Sequence, residues 1–234
     1  GTGDVKIKID VRYPEEGITI DEDALKDQAD ALVEKYKYIK GAPMGYSLYD
    51  NTVTAVMGDR ILSTSFINNI ILQLLTFYSY EDLKIVVFTN ESNKEEWDYI
   101  KYLYHNFTDD KSFRFFASNS DSGKNVTEFL NFEINNRASI QSNDKINYKP
   151  YYLVIVDDYS MVKKSLFLKK VTESEKNLGC SILLAENKLS RLPSKCTNFI
   201  SLTSNRSEIL INSYEKQEKI NFNNEINPNI NMKN

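Results

Sequence analysis

Gly58, Ser63, Thr64 and Ser65 stand in the stretch "MGDRILSTS", between the apolar run "VTAV" and the helix-like "FINNIILQLL". A strand, a loop and a helix in that order can hold a polyphosphate. In the frame G-x-x-x-x-G-K-[ST], glycines let backbone N–H groups close on phosphates, lysine neutralises them and the last hydroxyl binds magnesium. Gly58 fills the first glycine position, Ser63 stands where the second belongs, Thr64 replaces the lysine and Ser65 keeps the hydroxyl. A Cβ at Ser63 narrows the conformations that glycine leaves open, and Thr64 carries no charge. Each lost charge-assisted contact costs about 1.5–3 kcal/mol. Arg60 offers a replacement cation through its fork of donors, although Asp59 beside it opposes that. A ligand-free reading also fits these residues: a strand-turn-helix with Ser63 or Thr64 as the N-cap.

A second stretch, "YYLVIVDDYS", places Asp157 and Asp158 at the end of an apolar strand. A phosphate-loop motor carries its magnesium-orienting Asp there, followed by the acid that positions water. Asp158 is one methylene shorter than the glutamate that this role usually takes. Two solvated acids capping a turn would give the same pattern. Together the stretches mark Gly58, Ser63, Thr64, Ser65, Asp157 and Asp158 as a vestigial ATP and magnesium site, with no catalytic residue and no cofactor expected.

The rest of the chain narrows the class of protein. Its 234 residues and 41% hydrophobic content suffice for one large or two small domains with a packed core. A net charge of -4 offers no positive surplus for a phosphate backbone, so nucleic acid is not expected as a partner. Cys180 and Cys196 form no C-x-x-C pair and His105 is the lone histidine, which leaves little material for a zinc site, and two buried free thiols are expected. No stretch approaches the roughly 20 apolar residues of a membrane span.

The elements that must position these residues follow from periodicity. "VKIKIDV" alternates as a half-buried strand, and "DEDALKDQADALVEKYKYI" repeats at helical spacing. From Val53 onward, unbroken apolar runs predict buried parallel strands at Val53–Met57, Leu83–Phe88, Phe113–Ser118, Tyr152–Asp157 and Ser181–Glu186. Helices are expected between them at about Ser65–Phe77, Lys94–His105, Val126–Ala138 and Met161–Asn177. Right-handed crossovers then give an open α/β sheet covered on both faces. "NFISL" and "EILINSY" read as closing edge strands, and the Asn-rich tail as a linker or disordered end.

The order of these segments resembles the motor domain of the FtsK/SpoIIIE family. The chain resembles more closely the type VII secretion ATPases of that family, EssC and EccC. "EEWDYIKYLYHNFTDD" is similar to their Trp-Asp-x-x-Lys-x-x-x-His segment, carried by Trp97, Asp98, Lys101 and His105. "RLPSKCTNFISL" is similar to their Leu-Pro-x-x-Cys stretch, and "GTGD" to the Gly-rich start after their transmembrane helices. "LLAEN" departs from the Ala-Thr-Gln that ends the corresponding FtsK strand. The resemblance implies a P-loop NTPase-like (RecA/FtsK-like) three-layer sandwich with a mostly parallel central sheet and a degenerate nucleotide site. It implies residues 1–45 as a leading strand and helix, 46–215 as the ATPase-like domain and 216–234 as the tail. It further implies the membrane-proximal, non-hydrolysing module of a membrane-anchored ATPase on the cytoplasmic side, coupled to further modules, to type VII membrane components and to a homo-hexamer. Trp97, Lys101 and His105 are its expected interaction residues. Read from spacing alone, Trp97, Ile100 and Tyr104 form a core-facing helical stripe. The lysines of "MVKKSLFLKKV" make a solvated face or a basic contact surface for membrane phosphates.

Overall fold

A computed structural model describes residues 2–12, 24–43, 45–140, 146–187, 192–193, 195–203, 207–212 and 217–222. Thr2–Lys6 (β1) pairs antiparallel with Tyr38–Pro43 (β2), and Ala24–Tyr36 (α1) lies in the connection. The expected first strand therefore stops early. The expected first helix ends at Tyr36, because the residues that follow it supply β1 with its partner.

The remaining strands build one sheet. In chain order they are Val53–Met57 (β3), Leu83–Phe88 (β4), Phe116–Ala117 (β5), Tyr151–Val156 (β6), Cys180–Ala185 (β7), Asn198–Ser201 (β8), Ser207–Asn212 (β9) and Gln217–Phe222 (β10). Their lateral order is β10-β9-β8-β3-β7-β6-β4-β5, parallel from β8 to β5 and antiparallel across β8, β9 and β10. β3, β4, β6 and β7 are almost wholly buried and mostly apolar because both faces of the sheet are covered, with Thr54, Lys84 and Ser181 as their buried polar members. β10 corrects the linker expectation for Gln217–Phe222: β9 offers a free ladder of N–H and C=O groups, and a polar segment can satisfy an edge. The linker expectation for residues 216 and 223–234 lies outside the described residues.

Helices Arg60–Phe77 (α2), Ser120–Ser139 (α3) and Leu166–Glu173 (α4) complete the layers. On one face Val56, Ile85 and Val87 pack with Ile67 and Ile71 of α2 and with Trp97 and Ile100. On the other, Val86, Phe88 and Val154 pack with Leu130 and Ile134 of α3 and Phe167 of α4. The structure is thus the expected three-layer α/β sandwich.

Three expected elements are shorter or of another kind. Lys94–His105 is not one α-helix but three short 3₁₀ turns, Lys94–Glu96, Asp98–Tyr102 and Tyr104–Asn106, interrupted by an extended Leu103. Residues three apart share a face in both helix types, which is why Trp97 and Ile100 are buried while Tyr104 is 57% exposed. Of Met161–Asn177 only α4 is α-helical, since Ser165 and Ser174 take extended dihedrals on either side. Phe113–Ser118 contributes just β5, because Phe113 and Phe115 turn into an aromatic cluster with Phe129. Cys180 and Cys196 are free and buried, as expected.

Register is what matters for the site. Val56 of β3 lies beside Ala185 of β7, Leu184 of β7 beside Val156 of β6, and Val156 beside Phe88 of β4. The residues just past these strands, Gly58, Glu186, Asp157 and Thr89, therefore share one edge. β7 separates β3 from β6, so Gly58 and Asp157 are about two strand spacings, roughly 10 Å, apart.

Candidate functional site

That edge opens into a cleft of about 660 Å³, lined among others by Gly58, Arg60, Ser63, Thr64, Asp157 and Asp158. The structure thus brings five of the six expected cofactor-type residues together. Ser65 is the exception: it lies in the second turn of α2, its carbonyl accepts from Asn69 at 3.0 Å, and it does not line the cleft.

The connection from β3 to α2 has only two residues, Gly58 and Asp59. Asp59 is the N-cap, with φ -64 and ψ 160, and its carboxylate accepts from the Leu62 N–H at 3.0 Å. Neither Ser63 nor Thr64 caps the helix. Asp59 is chosen because the helix starts at Arg60, three residues before the second-glycine position of the phosphate-loop frame at Ser63. The Ser63 N–H donates to the Asp59 carbonyl at 3.0 Å, and the Ser63 hydroxyl to the same oxygen at 2.9 Å. A phosphate-binding helix end needs unengaged N–H groups. In this one a carboxylate already accepts from the first turn.

Gly58 has a structural cause of its own. A Cβ there would sit 2.9 Å from the Leu202 carbonyl oxygen and 3.1 Å from the Leu202 Cβ. The glycine lets the strand end approach the residue after β8, where the Leu202 N–H donates to the Met57 carbonyl at 2.7 Å.

Across the cleft, the Asp157 side chain is fully buried. Arg60, the first residue of α2, donates to both its oxygens, Nη1 to Oδ1 at 2.8 Å and Nη2 to Oδ2 at 3.2 Å; Thr89 Oγ1 adds a bond to Oδ2 at 2.7 Å. The other edge of the guanidinium meets Glu96, with Nε 2.9 Å from Oε1 and Nη2 2.9 Å from Oε2. Thr64 Oγ1 donates to Glu96 Oε2 at 3.1 Å. Partial burial opposes the Arg60 charge, but the hydrogen bonds to Asp157 and Glu96 and the charges of both outweigh it, so the guanidinium pKa is raised. Asp59, expected to oppose Arg60, is occupied as the cap instead. Asp158 caps the turn Tyr159–Met161 by accepting from the Ser160 N–H at 2.9 Å.

Glu96 and Thr89 are the members that sequence reasoning did not single out. Thr89 follows an apolar strand much as Asp157 does, which is a usable signal. Glu96 sits in a solvent-side acidic pair with none. Lys163, from the basic run, also lines the cleft. Arg60 and Lys163 face Asp157, Asp158 and Glu186 there, an arrangement of charge that disfavours a polyphosphate. Among the described residues, no group of three or more His, Cys, Asp or Glu side chains is arranged to hold a metal ion.

The expected interaction residues lie away from the cleft. Trp97 is fully buried beneath α2. Lys101 donates to Asp98 at 2.7 Å and lies 4.3 Å from the Phe116 ring centre. His105 Nε2 is 3.0 Å from the Tyr78 carbonyl oxygen. All three have partners or packing within the chain. No helix among the described residues is long and apolar enough to cross a membrane.

A parallel sheet with an intervening strand between the loop-bearing and acid-bearing strands, and a cleft at their carboxyl ends, defines the α/β fold of P-loop ATPase domains. Solved structures agree. The cytoplasmic domain of the type VII secretion ATPase EccC of Thermomonospora curvata superposes with a TM-score of 0.56 at 12% identity, over 77% of this chain and 24% of that one. EssC ATPases 2 and 3 of Geobacillus thermodenitrificans give 0.54 at 12% identity, over 80% and 42%. In sequence, the chain is 24% identical over 227 residues to the type VII secretion system protein EssC of Staphylococcus aureus, covering 95% of this chain and 15% of that protein. It is 21% identical over 200 residues to the ESX secretion system protein EccC of Geobacillus thermodenitrificans, covering 86% and 14%. The chain is homologous to the EssC and EccC ATPases of type VII secretion, and spans about 15% of the length of these relatives. No protein-family model matches it.

Proposed function

We propose that the chain is a non-hydrolysing, ATPase-like module of a type VII secretion ATPase. It stands at the cytoplasmic face of the bacterial membrane and couples the transmembrane region to the motor modules of the same polypeptide, within a homo-hexamer that meets the other membrane components. The observation that carries this reading is the two-residue connection from β3 to α2. A phosphate loop must present several free N–H groups around an anion, and two residues with a carboxylate cap leave no such nest. The resemblance of Trp97, Asp98, Lys101 and His105 to the type VII segment, and the homology to EssC and EccC, support the secretion assignment.

Titration of the full chain with fluorescent ATP and magnesium tests the site. The expected result is no binding tighter than about 100 μM, a free energy of roughly -5.5 kcal/mol. Tighter binding that Asp157→Ala abolishes would overturn it. That outcome would favour the second reading, an ATP-binding domain whose site is completed in trans, for which the cleft and its Lys163 speak.

A further inference from the structure

A fully buried carboxylate is costly unless a cation and hydrogen bonds answer it. Asp157 is such a group. In a nucleotide motor part of the answering charge, a metal ion, arrives with the ligand. In this chain the charge is covalently present. The Asp157 and Glu96 oxygens lie along two edges of one flat guanidinium, at 2.8 and 3.2 Å on one side and 2.9 Å at both contacts on the other. Paired acceptors on two edges of a plane match a fork of donors. They do not match magnesium, which draws oxygens toward one point at about 2.0–2.1 Å. Thr89 and Thr64 then fix the two carboxylates by one hydroxyl each.

We propose that this pole of the cleft is a guanidinium receptor occupied in cis by Arg60. The side chain stands in for lysine and metal together, spans the gap left by the intervening strand β7, and ties the turn carrying Glu96 to α2. The inference deepens the nucleotide-free reading of the cleft. It also reaches Trp97, which directly follows Glu96, is fully buried, and is the sole tryptophan of the chain.

The test uses the full chain and its Arg60→Ala variant, followed by thermal melting and by tryptophan emission, each with added methylguanidinium or methylammonium. Arg60→Ala is expected to melt about 5–10 °C lower, because it leaves the buried Asp157 carboxylate without its guanidinium in a domain of this size, and to shift Trp97 emission to the red. Methylguanidinium at low millimolar concentration should restore part of both signals, methylammonium neither, and the parent chain should respond to neither. In Arg60→Ala/Asp157→Asn the rescue should vanish. An Arg60→Ala variant that melts with its parent, equal rescue by methylammonium, or rescue that survives Asp157→Asn would each overturn the proposal. Should Arg60→Ala fail to fold, Arg60→Lys keeps a charge without the fork and is expected to melt several degrees low; melting with the parent would overturn the proposal. No nucleotide enters these assays, so tight ATP binding by the parent chain would sink the function proposed above without changing their outcome.

Discussion

The two halves of the cleft differ in what holds them. On the α2 side, the loop is reduced to Gly58 and Asp59, and each of these serves the fold: one admits Leu202, the other caps the helix. On the β6 side, the acid remains at its strand end, buried and paired. A backbone loop needs length to make a phosphate nest, and that length is absent. A carboxylate needs only an opposite charge, and a side chain can bring one. The first half is ordinary helix-start chemistry, whereas the second pairs a buried acid with a side-chain cation.

Substitutions can break or sharpen that contrast. Asp157→Ala should have the largest effect, about 2–3 kcal/mol by denaturant titration. This falls below the full range for a buried pair because Arg60 is 39% exposed and keeps Glu96. Gly58→Ala should cost about 1–3 kcal/mol, since a methyl group 2.9 Å from the Leu202 carbonyl forces the strand ends apart; a neutral result would return Gly58 to a ligand-binding role. Asp59→Ala should lose the cap and about 1 kcal/mol, read by the same titration. Ser65→Ala should change stability by less than about 0.5 kcal/mol, because its hydroxyl lies outside the cleft. A Ser65 effect rivalling that of Asp157 would mean that the two halves still work as one site.

The sequence discloses the sheet well and the site unevenly, for identifiable reasons. β3, β4, β6 and β7 lie within one residue of expectation, because a strand buried on both faces reads as a mostly apolar run. The 3₁₀ turns from Lys94 to Asn106 are not legible as such: Trp97 and Ile100 are three apart, a spacing that serves two helix types, and only the outward Tyr104 separates them. β10 is obscured because an edge strand can be polar. Asp157 and Arg60 are visible as residue types, yet their pairing depends on the order of strands, which separates them by 97 positions in sequence and joins them in space. Glu96 belongs to a turn whose placement only tertiary packing decides. The start of α2 is the instructive error. Its residues satisfy half of a loop motif, and a hydroxyl-rich "STS" competes with Asp59 as the start of the helix. The aspartate prevails because the chain turns directly after β3.

The short β3–α2 connection bears on mechanics. Motors that burn ATP move because a loop adopts one arrangement around the triphosphate and another around the diphosphate, and a ligand can shift such a balance only by binding the two forms unequally. Two residues between a strand and a capped helix leave little room for a second arrangement. On the function proposed above, a module so built would hold one shape through every stroke of its neighbours, serving as the stator against which their movement becomes force.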